Sequence, residues 1–232
     1  MWSTPRLPTR STAVLFSINI NDFPDKITKG ELELFADDST AFEICDNHPD
    51  AFTAAQDLFD DVDSYSGRNG FQVHTDRGKT EIMFISKKPF IGPLPDFKLV
   101  TKSVSVAPTV KCLGLLIDNK LSWDPHCTKI IKDFKIKLKN LYKMRFLNQK
   151  HLRDVYFKGI IPSVLYCIAI WGSCTKVNMD KINSIHLKAA RFIERLKKSV
   201  PDCDVLYLAK WKSISWYYKR RSMCITHTLL WE

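Results

Sequence analysis

The chain has 232 residues, 45% hydrophobic and 26% charged, which suits one large or two small folded domains and excludes a disordered chain. A formal net charge of +10 and a pI near 9.2 favour an anionic partner, nucleic acid or a membrane surface. Seven cysteines (Cys45, Cys112, Cys127, Cys167, Cys174, Cys203, Cys224) without a Cys-x-x-Cys spacing point to reduced thiols in an intracellular protein, and they fit neither a disulfide framework nor zinc.

Residues 1–11 hold two prolines and two arginines with no periodic pattern, and read as a leader outside any domain. Residues 12–23 place Val14, Leu15, Ile18 and Phe23 at helical spacing, closed by Asn21, Asp22 and Pro24. In residues 32–44, Leu32, Leu34 and Ala36 alternate with Glu33, Phe35 and Asp37, and Thr40, Phe42 and Ile44 form a second alternating run. The spacing predicts a hairpin with Asp37-Asp38-Ser39 at its tip. Such a tip is first of all ordinary turn chemistry, and it is also a way to lift a carboxylate toward Mg2+ or Mn2+.

Residues 49–66 are amphipathic, with Phe52, Ala55, Leu58, Phe59, Val62 and Tyr65 inward and Asp57, Asp60, Asp61 and Asp63 outward. Asn47 or Asp50 can cap the start of this helix and Gly67 or Gly70 its end. Residues 71–73 and 81–86 read as strands joined through residues 76–79. Three more short β runs follow at 97–100, 104–106 and 111–117.

The character changes near Leu121. Residues 124–147 read as one basic helix with an apolar stripe of Ile130, Ile131, Phe134, Leu138, Leu141 and Tyr142. From Lys129 to Arg153 there are nine Lys or Arg and one acid, Asp133. Residues 152–171 and 179–198 read as two further helices, the second capped by Asn178. The run 159–172 is the most apolar, but it is short of a membrane span and interrupted by Pro162, so it reads as buried helix in a chain with no membrane partner. Residues 201–232 form a tail rich in aromatic and basic residues.

Several of these segments, in this order, resemble reverse transcriptases of non-LTR, LINE-type (jockey-like) retrotransposons. Phe35-Ala36-Asp37-Asp38 is similar to the family's [FY]-A-D-D box. Residues 15–22 (LFSININD) with Phe23-Pro24-Asp25 resemble the segment before the box, and residues 70–84 (GFQVHTDRGKTEIMF) the segment after it. Residues 110–123 (VKCLGLLIDNKLSW) with His126, residues 162–172 (PSVLYCIAIWG) and Ala189-Ala190-Arg191 continue the likeness, which covers about residues 12–200.

The resemblance implies an α+β fold: a reverse-transcriptase palm (antiparallel hairpin plus helices) over residues 12–120, then an all-helical thumb-like region over 121–200. It implies RNA-directed DNA synthesis on an RNA template with a DNA primer, using two Mg2+ (or Mn2+) ions held by three carboxylates. Asp37 and Asp38 match two of these metal ligands. Lys79 matches a catalytic lysine near the incoming nucleotide's phosphates. A thumb grips the duplex, which marks Lys129, Lys132, Lys135, Lys139, Lys143 and Arg145 as nucleic-acid-binding residues.

Two departures bear on activity. Only 36 residues precede Asp37, too few for the fingers and the strand of the first carboxylate, and Arg6-Leu7-Pro8 stands where the family has Pro-Gln-Gly. The expectation is a truncated palm and thumb, inactive alone, with a non-catalytic nucleic-acid-binding protein as the alternative. Loss of neighbouring strands is expected to leave a sheet edge open to association.

Overall fold

The computed structural model describes residues 20–36, 38–71, 73–75, 79–86, 88, 95–99 and 102–231. The fold is α+β, with two-stranded sheets early in the chain and helices later. It divides into two compact units: one ends at Gly114 and includes Asp118–Lys120, and the other joins Leu115–Ile117 to everything from Leu121 on.

In the first unit, β1 (Glu31–Phe35) pairs antiparallel with β2 (Asp38–Phe42), with Phe35 opposite Asp38. Asp38 and Ser39, expected at the tip, therefore already belong to a strand, and Asp37 lies outside the described residues. Ala36 takes φ 55°, the left-handed conformation that two-residue turns matching the strand twist require. Helix α1 (His48–Asn69) starts at Asn47, whose side chain accepts from the Asp50 amide, and ends at Gly70 with φ 68°. Its aspartates do more than face water. Asp61 accepts from the Thr28 amide and hydroxyl, both at 2.8 Å, and Asp57 pairs with Lys29, so α1 holds the segment that leads into β1.

Gly30, at φ 76°, completes that entry, because a Cβ there would meet the Phe42 carbonyl oxygen at 2.5 Å. Phe23 stacks on Tyr65 at 4.2 Å, and Phe52 meets Phe84 and Phe97 edge-on, with those two rings tilted against each other. The expected strand at 81–86 is a single bridge, Ile82 to Val106, and the pairing of 71–73 lies partly outside the described residues. Strand β3 (Phe97–Leu99) pairs with β4 (Lys102–Val104). The run 111–117 is a hairpin rather than one strand: Leu113 (φ 45°) and Gly114 (φ 88°) turn β5 (Thr109–Cys112) into β6 (Leu115–Asp118). Most of the helix expected at 12–23 lies outside the described residues; Ile20 and Phe23 are buried, and Pro24–Lys26 form a 3-10 turn.

The second unit is helical. Helix α2 (Asp124–Lys143) buries Cys127, Ile130, Phe134, Leu138 and Leu141 and stops at Met144, so Arg145 lies past its end rather than on it. The expected helix 152–171 is broken for a covalent reason. Pro162 has no N–H to continue the ladder, and its ring crowds the turn before it. The chain runs as α3 (Gln149–Asp154), a π segment (Val155–Ile160) and α4 (Ile161–Val164), with the Ile161 amide reaching back to the Tyr156 carbonyl. Cys167, at φ 50°, then starts the short α5 (Ile168–Trp171).

Helix α6 (Lys176–Ile193) starts three residues before the expected 179, on the cap Thr175. Asn178 is instead buried and donates to Asp124 at 2.6 Å. The tail forms two helices: α7 (Asp202–Ala209) and α8 (Ile214–Trp231) close the unit with Val205, Ala209, Trp211 and Ile214 in its core.

Trp171 is fully buried and its indole N–H donates to the Tyr166 carbonyl at 2.8 Å. A Cβ on Gly172 would collide with the Tyr218 ring of α8 and with the Ile168 carbonyl. Gly172→Ala is therefore expected to lower stability by about 1–3 kcal/mol in urea unfolding. Gly67→Ala, on open helix surface, should leave stability equal or slightly raised. Equal effects of the two changes would count against this packing.

Candidate functional site

The carboxylate hairpin is the first candidate. In the β1–β2 register Glu31, Glu33 and Phe35 share a face with Phe42, Thr40 and Asp38, and this face is exposed; Leu32 and Leu34 on the other are half-buried. Asp38 therefore stands on the open face, beside Phe35 at 66% exposure. Asp37 lies outside the described residues. Lys79 is exposed in a turn of the same unit, followed by Thr80, whose hydroxyl donates to the His74 carbonyl at 2.7 Å.

A two-metal centre needs several oxygen donors converging on one point. Among the described residues no group of three or more His, Cys, Asp or Glu is placed to hold a metal ion. The described donors do not fit Mg2+ or Mn2+.

The second candidate is the outer face of α2. At about 100° per residue, Lys129, Lys132, Lys135, Lys139 and Lys143 fall within an arc about 120° wide. The buried stripe of Ile130, Phe134, Leu138 and Leu141 lies opposite. The five lysines extend over about 21 Å of helix, and all are exposed, as is Arg145 beyond the end. Lys137 points elsewhere and donates to the Ser163 hydroxyl. Among the described residues none of the five lysines, nor Arg145, takes part in an ion pair.

Charge is segregated along the chain. Residues 121–232 hold 22 of the 35 Lys and Arg but only 8 of the 25 acids, a formal +14, while residues 1–120 carry −4. A cationic half with five exposed lysines in one arc of a helix, which the exposed Ile136 shares, can track a phosphate backbone. Among the described residues no helix is long and apolar enough to cross a membrane.

The residues quoted from the later motifs are structural. His126 is buried, its Nδ1 accepts from the Leu116 amide at 3.3 Å, and its ring meets Trp171 edge-on at 6.0 Å. Sequence reasoning passed over two buried polar groups. Tyr156 donates its hydroxyl hydrogen to His186 Nδ1 at 2.6 Å, and His186 Nε2–H donates to the Lys212 carbonyl at 2.9 Å. Both lie on the apolar faces of their helices, so the only signal was a polar atom at a core position. No family model, curated protein or solved structure matches the chain.

Burial lowers the His186 pKa to about 4 from an ordinary 6.5. The unfolded chain thus takes up a proton near pH 6.5 that the folded chain refuses until about pH 4. The stability conferred by the neutral ring is complete above pH 6.5 and falls away as pH drops through that window. His126 is lowered too, by burial and then by Lys129, and adds in the same sense. Between pH 7 and pH 5, His186 alone should remove roughly 2 kcal/mol of unfolding free energy. His186→Gln should flatten that dependence in urea titrations, and an undiminished dependence would show that another group governs it.

Proposed function

We propose that this chain is a nucleic-acid-binding relative of non-LTR retrotransposon reverse transcriptases. In this reading it carries part of the palm and a thumb-like region, and it grips a duplex through the outer face of α2 without polymerising by itself. The single observation that carries the binding is the arc of five exposed lysines opposite the buried stripe of α2. What supports the ancestry is the ordered set of sequence likenesses from residue 12 to residue 200. A dedicated polymerase reading has less support, because the described residues assemble no donor set for two metal ions.

The test is a fluorescence-anisotropy titration against an RNA–DNA duplex over a range of salt. Lys132→Glu with Lys139→Glu is expected to weaken binding on the order of tenfold to a hundredfold and to flatten the logarithmic salt slope by about 2. Lys181→Glu with Lys198→Glu makes the same change of net charge away from the α2 face and should do much less. Equal losses would reduce the site to bulk charge, and no salt-dependent affinity at all would end the binding reading. Primer extension by these 232 residues with Mg2+ or Mn2+ is expected at background. Incorporation that Asp37→Asn abolishes would restore the polymerase.

The same reading expects association through the β1–β2 ribbon, which has no third strand among the described residues. Sedimentation should show concentration-dependent self-association. A monomer at all concentrations would remove that part of the proposal.

A further inference from the structure

Helix α8 carries an aromatic ring on its outward side. Ile214 and Tyr218 define the inner face: Ile214 is fully buried, and the Tyr218 ring lies against Gly172. Trp216 is two residues from each, about 200° around the helix, and so projects away from the core. It remains 36% exposed. Lys212 Nζ stands 5.6 Å from the centre of its ring and Arg220 Cζ 5.3 Å. One cation comes a turn before the tryptophan and the other a turn after it. Tyr217 meets the ring edge-on at 5.2 Å.

The group stands on a fixed backbone. Asn183 of α6 accepts from the Ile214 amide and donates to the Ser215 hydroxyl, both at 2.9 Å. His186, also of α6, donates to the Lys212 carbonyl at 2.9 Å. The Ser213 hydroxyl accepts from the Trp216 amide at 3.1 Å, as a helix cap does. Charge around the group has one sign. From Val205 to Trp231 there are five Lys or Arg and no acid. These five, Lys210, Lys212, Lys219, Arg220 and Arg221, are exposed, and among the described residues none takes part in an ion pair.

An outward indole flanked by two cations has the chemistry that single-stranded nucleic acid calls for. An unpaired base offers a π face to the ring, and the phosphates beside it meet the cations. A duplex keeps those faces within its own stack, so a backbone contact such as the lysine arc of α2 has no need of an aromatic.

We propose that Lys212, Trp216 and Arg220 form a second nucleic-acid contact, which takes a single strand by stacking one unpaired base on Trp216 while Lys212 and Arg220 hold the neighbouring phosphates. The contact goes beyond the duplex grip of α2 and does not depend on it.

The experiment is a fluorescence-anisotropy titration of the full chain with labelled oligothymidylate and with an abasic oligomer of equal phosphate number. The base-bearing strand is expected to bind about fivefold to a hundredfold more tightly, the equivalent of one stacked base. Trp216→Leu keeps apolar bulk without a π face. It should erase that difference and leave the logarithmic salt slope unchanged, whereas Trp216→Tyr should keep most of the difference. Lys212→Glu with Arg220→Glu should flatten the slope by about 1.4, two phosphate contacts at the single-strand value.

Lys132→Glu with Lys139→Glu should leave the preference for bases in place, so failure of the α2 reading and failure of this one are told apart. Equal binding of both strands by the wild type overturns the proposal, and that comparison needs no variant to fold. A preference for bases that survives Trp216→Leu overturns it too, because another ring then does the stacking. Binding to phosphatidylserine vesicles without any preference for bases overturns it in favour of a lipid surface.

Discussion

The helical unit depends on one buried polar chain: Tyr156 hydroxyl to His186, and His186 to the Lys212 carbonyl. Inside an apolar core each of these groups needs a partner, because an unmet donor or acceptor costs about 1–3 kcal/mol. The chain therefore fixes three segments against one another: the π segment, the middle of α6 and the approach to α8. Trp211 stacks on Tyr156 at 5.0 Å and closes the fourth side. The π segment has a role here. The wider turn forced upstream of Pro162 contains Tyr156, whose hydroxyl reaches an acceptor on the neighbouring helix. A proline that breaks a ladder and a hydroxyl that needs a partner thus settle into one arrangement.

That arrangement frees the opposite side of α2. A helix pinned along a single stripe by Phe134, Leu138 and Leu141 holds its other residues in a fixed line, and there five lysines stand with Ile136 among them. Five like charges on one face repel one another and weaken the isolated helix, so the packed stripe has to supply the stability that propensity and charge do not. Such a face is either solvated or relieved by an anionic partner. The contrast with residues 1–120, which carry −4, argues against charge added for solubility, which would be spread along the chain.

Period and cap chemistry were legible in the sequence. The stripe of α2 follows from 3.6-residue spacing, and the ends of α1 from two candidates each, Asn47 or Asp50 and Gly67 or Gly70, of which the structure uses Asn47 and Gly70. What was not legible depends on distant partners. Asn178 looks like a cap until Asp124, 54 residues away, is brought beside it. The aspartates of α1 look solvated until Thr28 and Lys29 arrive. The tail reads as a run of aromatic and basic residues because the helical periods of α7 and α8 are short and interrupted. Trp211 and Ile214 join the core through tertiary contact rather than through an amphipathic pattern. On the candidate site the lysines were legible and their common arc follows from period, while Asp38 and Ser39 join a strand rather than the tip because the register rests on pairing.

The hairpin shows why a motif and a site differ. His126, Trp171 and Gly172, all quoted for the same family likeness, have complete physical accounts as packing: a buried ring bonded to an amide, an indole bonded to a carbonyl, and a gap for a tyrosine. Selection for such corners can preserve a sequence pattern whether or not chemistry accompanies it. The exposed Asp38 on the ribbon is different, since it has no packing reason to be there. Its retention would need either a turn preference or a cation. Of the described turn residues, Ala36 is the left-handed one, at φ 55°. Cation binding, in turn, requires other oxygens to converge on the open face of β2, where Glu33 and Glu31 stand in line along the strand instead of around a point. A row of acids along a strand repels itself and binds a hard cation poorly, so only donors brought from outside this ribbon would turn Asp38 into a ligand.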